Sequence, residues 1–253
     1  MAFGLLNVSK PPGPTSHDVV AAVRRGTGER RVGHAGTLDP LAGGVLILAL
    51  GKATRLLEYL TASRKEYVAK VRLGIATDTY DAEGVVVEER PVPAALTVDR
   101  VEAALGDFRG PIEQVPPVYS AVKVGGKAAY ARARAGEELD LPAREVEIYA
   151  LELVDFQPPD LTLRVECSPG TYIRSLAHDL GQALGTGAML AALTRTASGS
   201  FRDADAVPWP VLQTAFADGS WQEFVLPADR ALEGTPQIEL DAESLRLVGN
   251  GMA

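Results

Sequence analysis

The chain has few residues of the kinds that build disulfides and metal sites: one cysteine and three histidines among 253 residues. A single cysteine excludes an internal disulfide, and Cys167 lies in an alternating apolar run that predicts a small buried residue. The histidines have no metal-ligand spacing, so we predict no structural or catalytic metal. No apolar run is long enough to span a bilayer, and the first ten residues lack a secretion-signal pattern. We therefore expect a cytoplasmic protein without membrane association.

Negative charge dominates, with a net charge of −8, but its distribution is uneven. Residues 1–75 hold 11 Lys+Arg against 5 Asp+Glu, and residues 119–136 hold 4 against none. By contrast, residues 76–118 and 202–253 each hold 9 acids against 3 bases. Clustered bases in an acidic chain are typical of a local phosphate-binding face, although ordinary solvated charges remain an alternative.

The segment from Gly33 to Gly44, GHAGTLDPLAGG, is the strongest candidate site. Glycine allows a ligand to approach the backbone closely, and Pro40 restricts both itself and Asp39, so the carboxylate sits on a stiff loop. The simpler interpretation makes Asp39 a helix N-cap with Pro40 at the first helical position. That interpretation explains neither the neighbouring His34 nor the glycines on both sides.

A phosphate-binding loop is the second alternative for this region, since GVLILALGK follows from Gly44 to Lys52. The spacing fails, because six apolar residues separate the glycines instead of four. Ala53 also occupies the position where Ser or Thr would hold magnesium. A nucleotide-dependent enzyme is therefore disfavoured, and the apolar run Val45–Leu50 is predicted to be a buried strand.

Several further segments combine with the Asp39 region into an ordered set of motifs across roughly residues 4–196: Leu5–Ser16, Gly33–Arg55, Lys65–Tyr67, Leu73–Gly74, Thr77–Gly84, Gln114–Lys123 and Cys167–Leu176. In sequence and in order, these motifs resemble those of the TruB family of tRNA pseudouridine synthases. The resemblance implies an enzyme that isomerises the uridine of the TΨC loop, at tRNA position 55, after flipping it out of the RNA. It implies tRNA, through its T arm, as the partner. We expect a monomer with no protein partner.

The resemblance also assigns roles to individual residues. Asp39 would be the carboxylate nucleophile, and Tyr67 would stack on the flipped base and serve as an acid or base. The remaining assignments are Arg174 as the partner of Asp39, Tyr172 and Leu193 as pocket walls, His34 as the filler of the gap left in the T loop, and Lys10 as a support of the motif loop or a phosphate contact. The reaction needs no redox change or energy source, so no cofactor is expected. Whether Asp39 attacks the ribose or the base is left open.

Arg174 and Tyr67 can also be interpreted without the resemblance. A helix is predicted over 171–184 with Thr171 as N-cap, which places Arg174 in the first turn, where a cation opposes the helix dipole by about 0.3 to 1 kcal/mol. An anionic partner, either Asp39 or an RNA phosphate, would explain it. Tyr67 lies on the apolar face of a predicted strand, where simple core packing is the alternative. We identify no second acid beside Asp39.

The predicted elements mix without a regular βαβ alternation. Strands are expected at 4–8, 45–50, 67–73, 85–89, 145–153 and 161–167, and helices at 16–25, 52–61, 98–106 and 171–184. This order favours an α/β (α+β) fold with a mixed, largely antiparallel sheet flanked by helices. The resemblance identifies it as the pseudouridine synthase fold, with residues 1–235 as the catalytic domain.

Residues 116–142 stand apart, with Pro-Pro, Gly-Gly and weak hydrophobic periodicity. The resemblance makes this segment an RNA-gripping insertion, and a plain surface excursion is the alternative. Its four bases, which we expect to contact substrate phosphates, are Lys123, Lys127, Arg132 and Arg134. Residues 236–253 would form a short tail, too short for the PUA domain of many relatives. A non-catalytic tRNA-binding or tRNA-folding protein remains the alternative function.

Overall fold

The computed structural model describes residues 3–120, 122–137, 139–236 and 238–251. Its strands are β1 (Gly4–Lys10), β2 (Val32–His34), β3 (Ala42–Leu50), β4 (Lys65–Leu73), β5 (Ile75–Thr77), β6 (Val86–Glu89), β7 (Gly110–Gln114), β8 (Lys123–Val124), β9 (Lys127–Ala128), β10 (Arg144–Gln157), β11 (Asp160–Cys167), β12 (Ala188–Ser198), β13 (Phe201–Arg202) and β14 (Val207–Pro208). Ten of them form one sheet in the order β14-β1-β3-β12-β4-β11-β10-β7, with β2 beside β3 and β13 beside β12.

Most neighbouring strands in this sheet are antiparallel, which confirms the predicted fold class. The exceptions are two parallel pairs, β1 with β14 and β3 with β12. Two short hairpins, β5–β6 and β8–β9, stand outside the sheet. The second hairpin lies inside the predicted insertion.

Strand β12 occupies the centre of the sheet, between β3 and β4, yet the sequence pattern did not predict it. Its residues, AMLAALTRTAS, lack a clean alternation because the register with β4 shifts twice, between Leu190 and Ala192 and between Arg195 and Ala197. Each irregularity moves the following side chains to the other face, which breaks the period of two.

Both faces of the sheet are covered at β3. Successive residues of a strand point to opposite faces, so Leu46 and Leu48 pack into the larger core while Val45 and Ile47 pack into a smaller one. This explains why every residue of β3 is buried. Cys167 is 1% exposed within the larger core, as predicted.

The helices are α1 (Ser16–Thr27), α2 (Leu57–Ala62), α3 (Val98–Gly106), α4 (Ala129–Arg134), α5 (Ile173–Ala183), α6 (Trp209–Asp218) and α7 (Ala242–Gly249). Two predicted caps are wrong. Thr15, not Ser16, caps α1 through a capping box with Asp18, and Tyr172, not Thr171, is the N-cap residue of α5. The predicted helix 52–61 is partly a 3₁₀ segment, Gly51–Leu56, that precedes α2. Among the described residues, no helix is both long and apolar enough to cross a membrane.

Candidate active site

The loop between β2 and β3 carries Asp39 and is held by the opening segment of the chain. Buried Ser16, freed from capping α1, accepts a hydrogen bond from the Leu38 amide (2.8 Å) and donates one to the Leu38 carbonyl (3.0 Å). The Gly13 amide donates to the Pro40 carbonyl at 2.8 Å. No helix begins at Pro40, because β3 starts at Ala42, so the N-cap interpretation of Asp39 is wrong.

Arg174, in the first turn of α5, meets this loop. Its Nε lies 3.0 Å from Asp39 Oδ2, and its side chain is only 6% exposed, against 38% for Asp39. The two terminal nitrogens donate to the carbonyls of Thr79 and Tyr119, each at 3.1 Å. The guanidinium is therefore fixed on three sides, and the carboxylate it pairs with stays open to an incoming ligand.

A second acid, Asp81, lies on the same guanidinium, contrary to our expectation that none accompanies Asp39. Its Oδ2 is 3.6 Å from Arg174 Nε, and its side chain is 5% exposed. The Thr79 hydroxyl (2.6 Å) and the Glu83 amide (3.1 Å) donate to its Oδ1. Asp81 lies in the TDTYDAEG motif, where its aspartates and threonines suggest a turn rather than a buried charge, and only the fold brings it to α5.

The electrostatics of Asp39 result from opposing effects. Desolvation is the largest and raises the pKa of Asp39, and the charge of Asp81 raises it further. The Arg174 guanidinium acts in the opposite direction, by charge and by hydrogen bonding, with a smaller contribution from Lys10. The net direction is upward, so the guanidinium offsets only part of the cost of carrying a carboxylate in this partly enclosed place.

Tyr67 and Leu193 lie on adjacent central strands, β4 and β12. Tyr67 is 9% exposed and belongs to the larger hydrophobic core, and Leu193, 8% exposed, is opposite Ala69 in the strand register. Burial raises the pKa of the Tyr67 phenol, and the nearby Arg195 guanidinium opposes that rise. Core packing is therefore observed for Tyr67, and the charge of Asp39 also acts on its phenol, where it raises the pKa further.

Lys10, at the end of β1, is 1% exposed. Its ammonium donates to the carbonyls of Pro11 (2.9 Å) and Pro14 (2.8 Å), in the opening segment that holds the Asp39 loop. Desolvation lowers its pKa to about 8, although the charge of Asp39 acts to raise it. Of the two roles expected for Lys10, this geometry favours support of the loop, since the residue is almost inaccessible to a phosphate and two of its three N–H donors are bonded to the opening segment.

His34 ends β2 and lies edge-on to His17, with ring centroids 5.7 Å apart. Its Nδ1 is buried with no hydrogen-bond partner among the residues that the structure describes. Desolvation lowers the pKa of His34, which favours the neutral ring. Tyr172 precedes α5, where its backbone amide and carbonyl are both bonded to the side chain of Gln114, at 2.7 and 3.0 Å. Gln114 thereby fixes the start of the helix that carries Arg174.

The predicted insertion contains exposed Lys123 and Lys127 around the β8–β9 hairpin. Arg132 is less free than expected, because Glu137, just beyond the acid-free stretch, accepts a 2.7 Å hydrogen bond from its Nε. The side chain of Arg134 lies outside the described residues. No cluster of three or more potential metal ligands occurs in the described parts of the chain.

Two buried cations near the site were missed from sequence, Lys65 and Arg195. Lys65 is 5% exposed and donates to the carbonyls of Leu60, Thr61 and Ser63, at the end of α2. Arg195 is 1% exposed and donates to two backbone carbonyls of the β3 region. In a sequence, a lysine or arginine within a strand normally indicates the solvent face, so neither position carried a signal of burial.

Comparisons with known proteins cover nearly the whole chain. The TruB family pseudouridylate synthase (N terminal domain) model matches residues 24–173, and the tRNA pseudouridylate synthase B C-terminal domain model matches residues 174–233. The chain is 46% identical to tRNA pseudouridine synthase B of Geobacillus kaustophilus, over 98% of this chain and 89% of that protein. For the protein of the same name from Symbiobacterium thermophilum, the values are 47%, 99% and 82%.

A solved structure gives a similar result. A chain of a Cbf5-Nop10-Gar1 complex matches with a TM-score of 0.77 and 33% identity, over 98% of this chain and 67% of that chain. The residues that the two family models match include both the loop that carries Asp39 and the helix that carries Arg174.

Proposed function

The chain belongs to the TruB family of pseudouridylate synthases, and on that premise we propose that it converts uridine to pseudouridine at position 55, in the T arm of tRNA. The relatives named tRNA pseudouridine synthase B support tRNA as the substrate. The observation that carries the proposal is the pairing of Asp39 with a buried arginine at 3.0 Å, which holds one partly exposed carboxylate in a fixed place. A cytoplasmic monomer fits this role.

The reaction breaks the bond between ribose C1′ and uracil N1, forms a bond from C1′ to C5, and moves one proton from C5 to N1. Atoms and electrons balance without a co-reactant. Asp39 supplies the nucleophile, on either the sugar or the base, and leaves again when the carbon–carbon bond has formed. Arg174 orients this carboxylate. The two hydrogen bonds from Arg174 to backbone carbonyls keep its guanidinium in place when the substrate binds.

Tyr67 stacks on the flipped uracil, with Leu193 and Tyr172 lining the remaining walls. Burial keeps the phenol protonated at neutral pH, which suits a group that first donates a hydrogen bond or a proton. His34, neutral and half-buried beside His17, fills the space that the flipped nucleotide leaves in the RNA loop.

Pseudouridine has the same mass as uridine, so the activity is tested by carbodiimide labelling, which marks pseudouridine, followed by primer extension on a tRNA transcript that was incubated with the pure protein and no added cofactor. We expect pseudouridine at position 55, and none in a transcript that has cytidine there. Binding of the transcript without product would favour the non-catalytic alternative. An isolated T-arm stem-loop should be modified nearly as well as the whole tRNA. A large loss of kcat/KM on the stem-loop would show that recognition lies outside the T arm.

Exposed Lys123 and Lys127 contact backbone phosphates in this proposal. The affinity falls as salt rises, and replacing both lysines with glutamine should make the slope of log K against log salt less steep by about two units. Each lost phosphate contact removes about one unit. Arg132→Gln should change the slope less, because its charge is already paired with Glu137. An unchanged slope in the double variant would place the phosphate contacts elsewhere.

A further inference from the structure

Arg195 is the largest fully buried side chain in the described parts of the protein. No carboxylate among those residues lies within 4.0 Å of it, whereas Arg174 has two. Taking a cation out of water without a counter-ion is strongly unfavourable unless hydrogen bonds replace the solvent. Packing alone therefore does not explain why Arg195 is buried.

The guanidinium joins two segments of the chain. Its Nε donates to the Val45 carbonyl on β3 at 2.7 Å, and one terminal nitrogen donates to the Gly36 carbonyl at 3.2 Å. Gly36 lies three residues before Asp39, in the same loop. A Cβ at Gly36 would lie 3.5 Å from the other terminal nitrogen, which is an ordinary van der Waals contact, so the φ of +97° rather than lack of space favours glycine at this position.

The strand register brings Tyr67 to the same guanidinium. Arg195 and Tyr67 are directly opposite in the antiparallel pair of β12 and β4, so their side chains project from the same face of the sheet. Both are buried, and the guanidinium lowers the pKa of the phenol against the effect of burial. On the other side, Arg195 is opposite Gly44, where a Cβ would come within 2.2 Å of the Arg195 carbonyl oxygen.

We propose that Arg195 is a positioning residue: its guanidinium holds the Tyr67 phenol and the backbone of the Asp39 loop in one fixed arrangement. The inference rests on the proposed roles of Tyr67 and Asp39. It differs from the role of Arg174, which contacts the reacting carboxylate itself. Arg195 affects the reaction only indirectly, through the Tyr67 ring on one side and the Asp39 loop on the other.

Lys65 provides a matched control. It is also a buried cation satisfied by backbone carbonyls, and it precedes Tyr67 by two residues on β4, so it projects from the same face. Its carbonyl partners belong to the end of α2 and not to the Asp39 loop. Lys65→Gln should therefore lower the unfolding temperature without slowing the reaction of the folded enzyme.

The first test is independent of catalysis. Side-chain ¹⁵N NMR of Arg195 and Arg174 is compared between the unmodified protein and Tyr67→Phe, which removes only the phenolic oxygen. We expect the Arg195 guanidinium resonances to move and those of Arg174 to stay. Unmoved Arg195 resonances would overturn the proposal, even if the enzyme makes pseudouridine. If the enzyme makes none, this comparison still shows whether the contact exists.

The second test is a double-mutant cycle on the single-turnover rate with saturating enzyme. Arg195→Lys should slow the reaction about 10- to 100-fold while changing tRNA affinity less than about threefold, since a displacement of about 1 Å costs a rate of that order. In the Tyr67→Phe background the same change should cost clearly less, because the part of the loss that acts through the phenol is already gone and only the part that acts through the Asp39 loop remains.

Equal losses in both backgrounds, or a loss chiefly of tRNA affinity, would assign Arg195 a structural role only and overturn the proposal. If Arg195→Lys does not fold, or if Tyr67→Phe leaves no measurable rate, the NMR comparison decides.

Discussion

Buried positive charge is satisfied in two different ways on the two sides of this site. On one side, Arg174 is held by two carboxylates and two carbonyls. On the other, Lys10, Lys65 and Arg195 donate to backbone carbonyls, with no carboxylate within 4.0 Å among the described residues. From this difference we infer that the first cation holds the partly exposed Asp39 carboxylate, whereas the other three hold the chain around it. Changes at Asp39, Arg174 and Asp81 should therefore act first on the reaction rate, and changes at Lys10 and Lys65 first on stability.

The largest effect is expected on the acidic side. Asp39→Asn should eliminate pseudouridine, because the amide cannot act as the nucleophile, while tRNA affinity stays within about tenfold, or 1.4 kcal/mol. Single-turnover assays and filter binding measure the two quantities. Turnover comparable to that of the unmodified enzyme would show that Asp39 is not the nucleophile. The two groups of buried cations would then not differ in role.

Arg174→Lys should reduce kcat about 100-fold despite the unchanged charge. Lysine lacks the planar guanidinium and cannot contact Asp39, Asp81 and two carbonyls together. The rate is measured under single-turnover conditions, with Arg64→Lys, an exposed surface pair, as control. Near-normal turnover would indicate that charge alone suffices at this position.

Asp81→Asn tests the acidic side further, because it removes one of the two carboxylates that contact Arg174. We expect about a tenfold loss of rate, or 1.4 kcal/mol, because Arg174 keeps its other contacts. The charge of Asp81 raises the pKa of Asp39, so its removal should shift the acidic limb of the pH–rate profile to lower pH. A shift to higher pH would contradict this assignment of charges.

The smallest effect on rate is expected at Lys10, where the measurement is stability. Burial lowers its pKa from 10.5 to about 8, so the unfolded chain binds more protons between these values, and stability should rise with pH in that window. Lys10→Met removes this contribution. Between pH of about 7.5 and about 9.5, the stability of the unmodified protein should gain about 2 kcal/mol relative to the variant in urea unfolding. Lys52→Met, at an exposed position, serves as control. If the stabilities of the unmodified protein and Lys10→Met depend on pH in the same way, the pKa of Lys10 is not lowered in the folded protein.

Sequence reasoning reached the acidic loop and the helix of Arg174 because both have strong local signals. Glycines and a proline around Asp39 indicate a constrained turn, and a cation in a first helical turn requires a partner. Asp81 gave no such signal, since its burial arises from a loop returning to α5 across 93 positions of the chain. Thr15 and Ser16 were confused as caps because either hydroxyl can cap a helix, and only the contact of Ser16 with Leu38 separates them.

Local patterns alone determined the elements whose period is regular: the buried β3, the alternating β4 and β11, and the amphipathic α3 and α5. Tertiary structure alone decided the central position of β12, the contact of Arg174 with two acids, and the burial of Lys10, Lys65 and Arg195. The physical reason is the same in each case. Periodicity records which face of one element is apolar, whereas pairing across a sheet and compensation of buried charge depend on residues far apart in the chain, brought together only by folding.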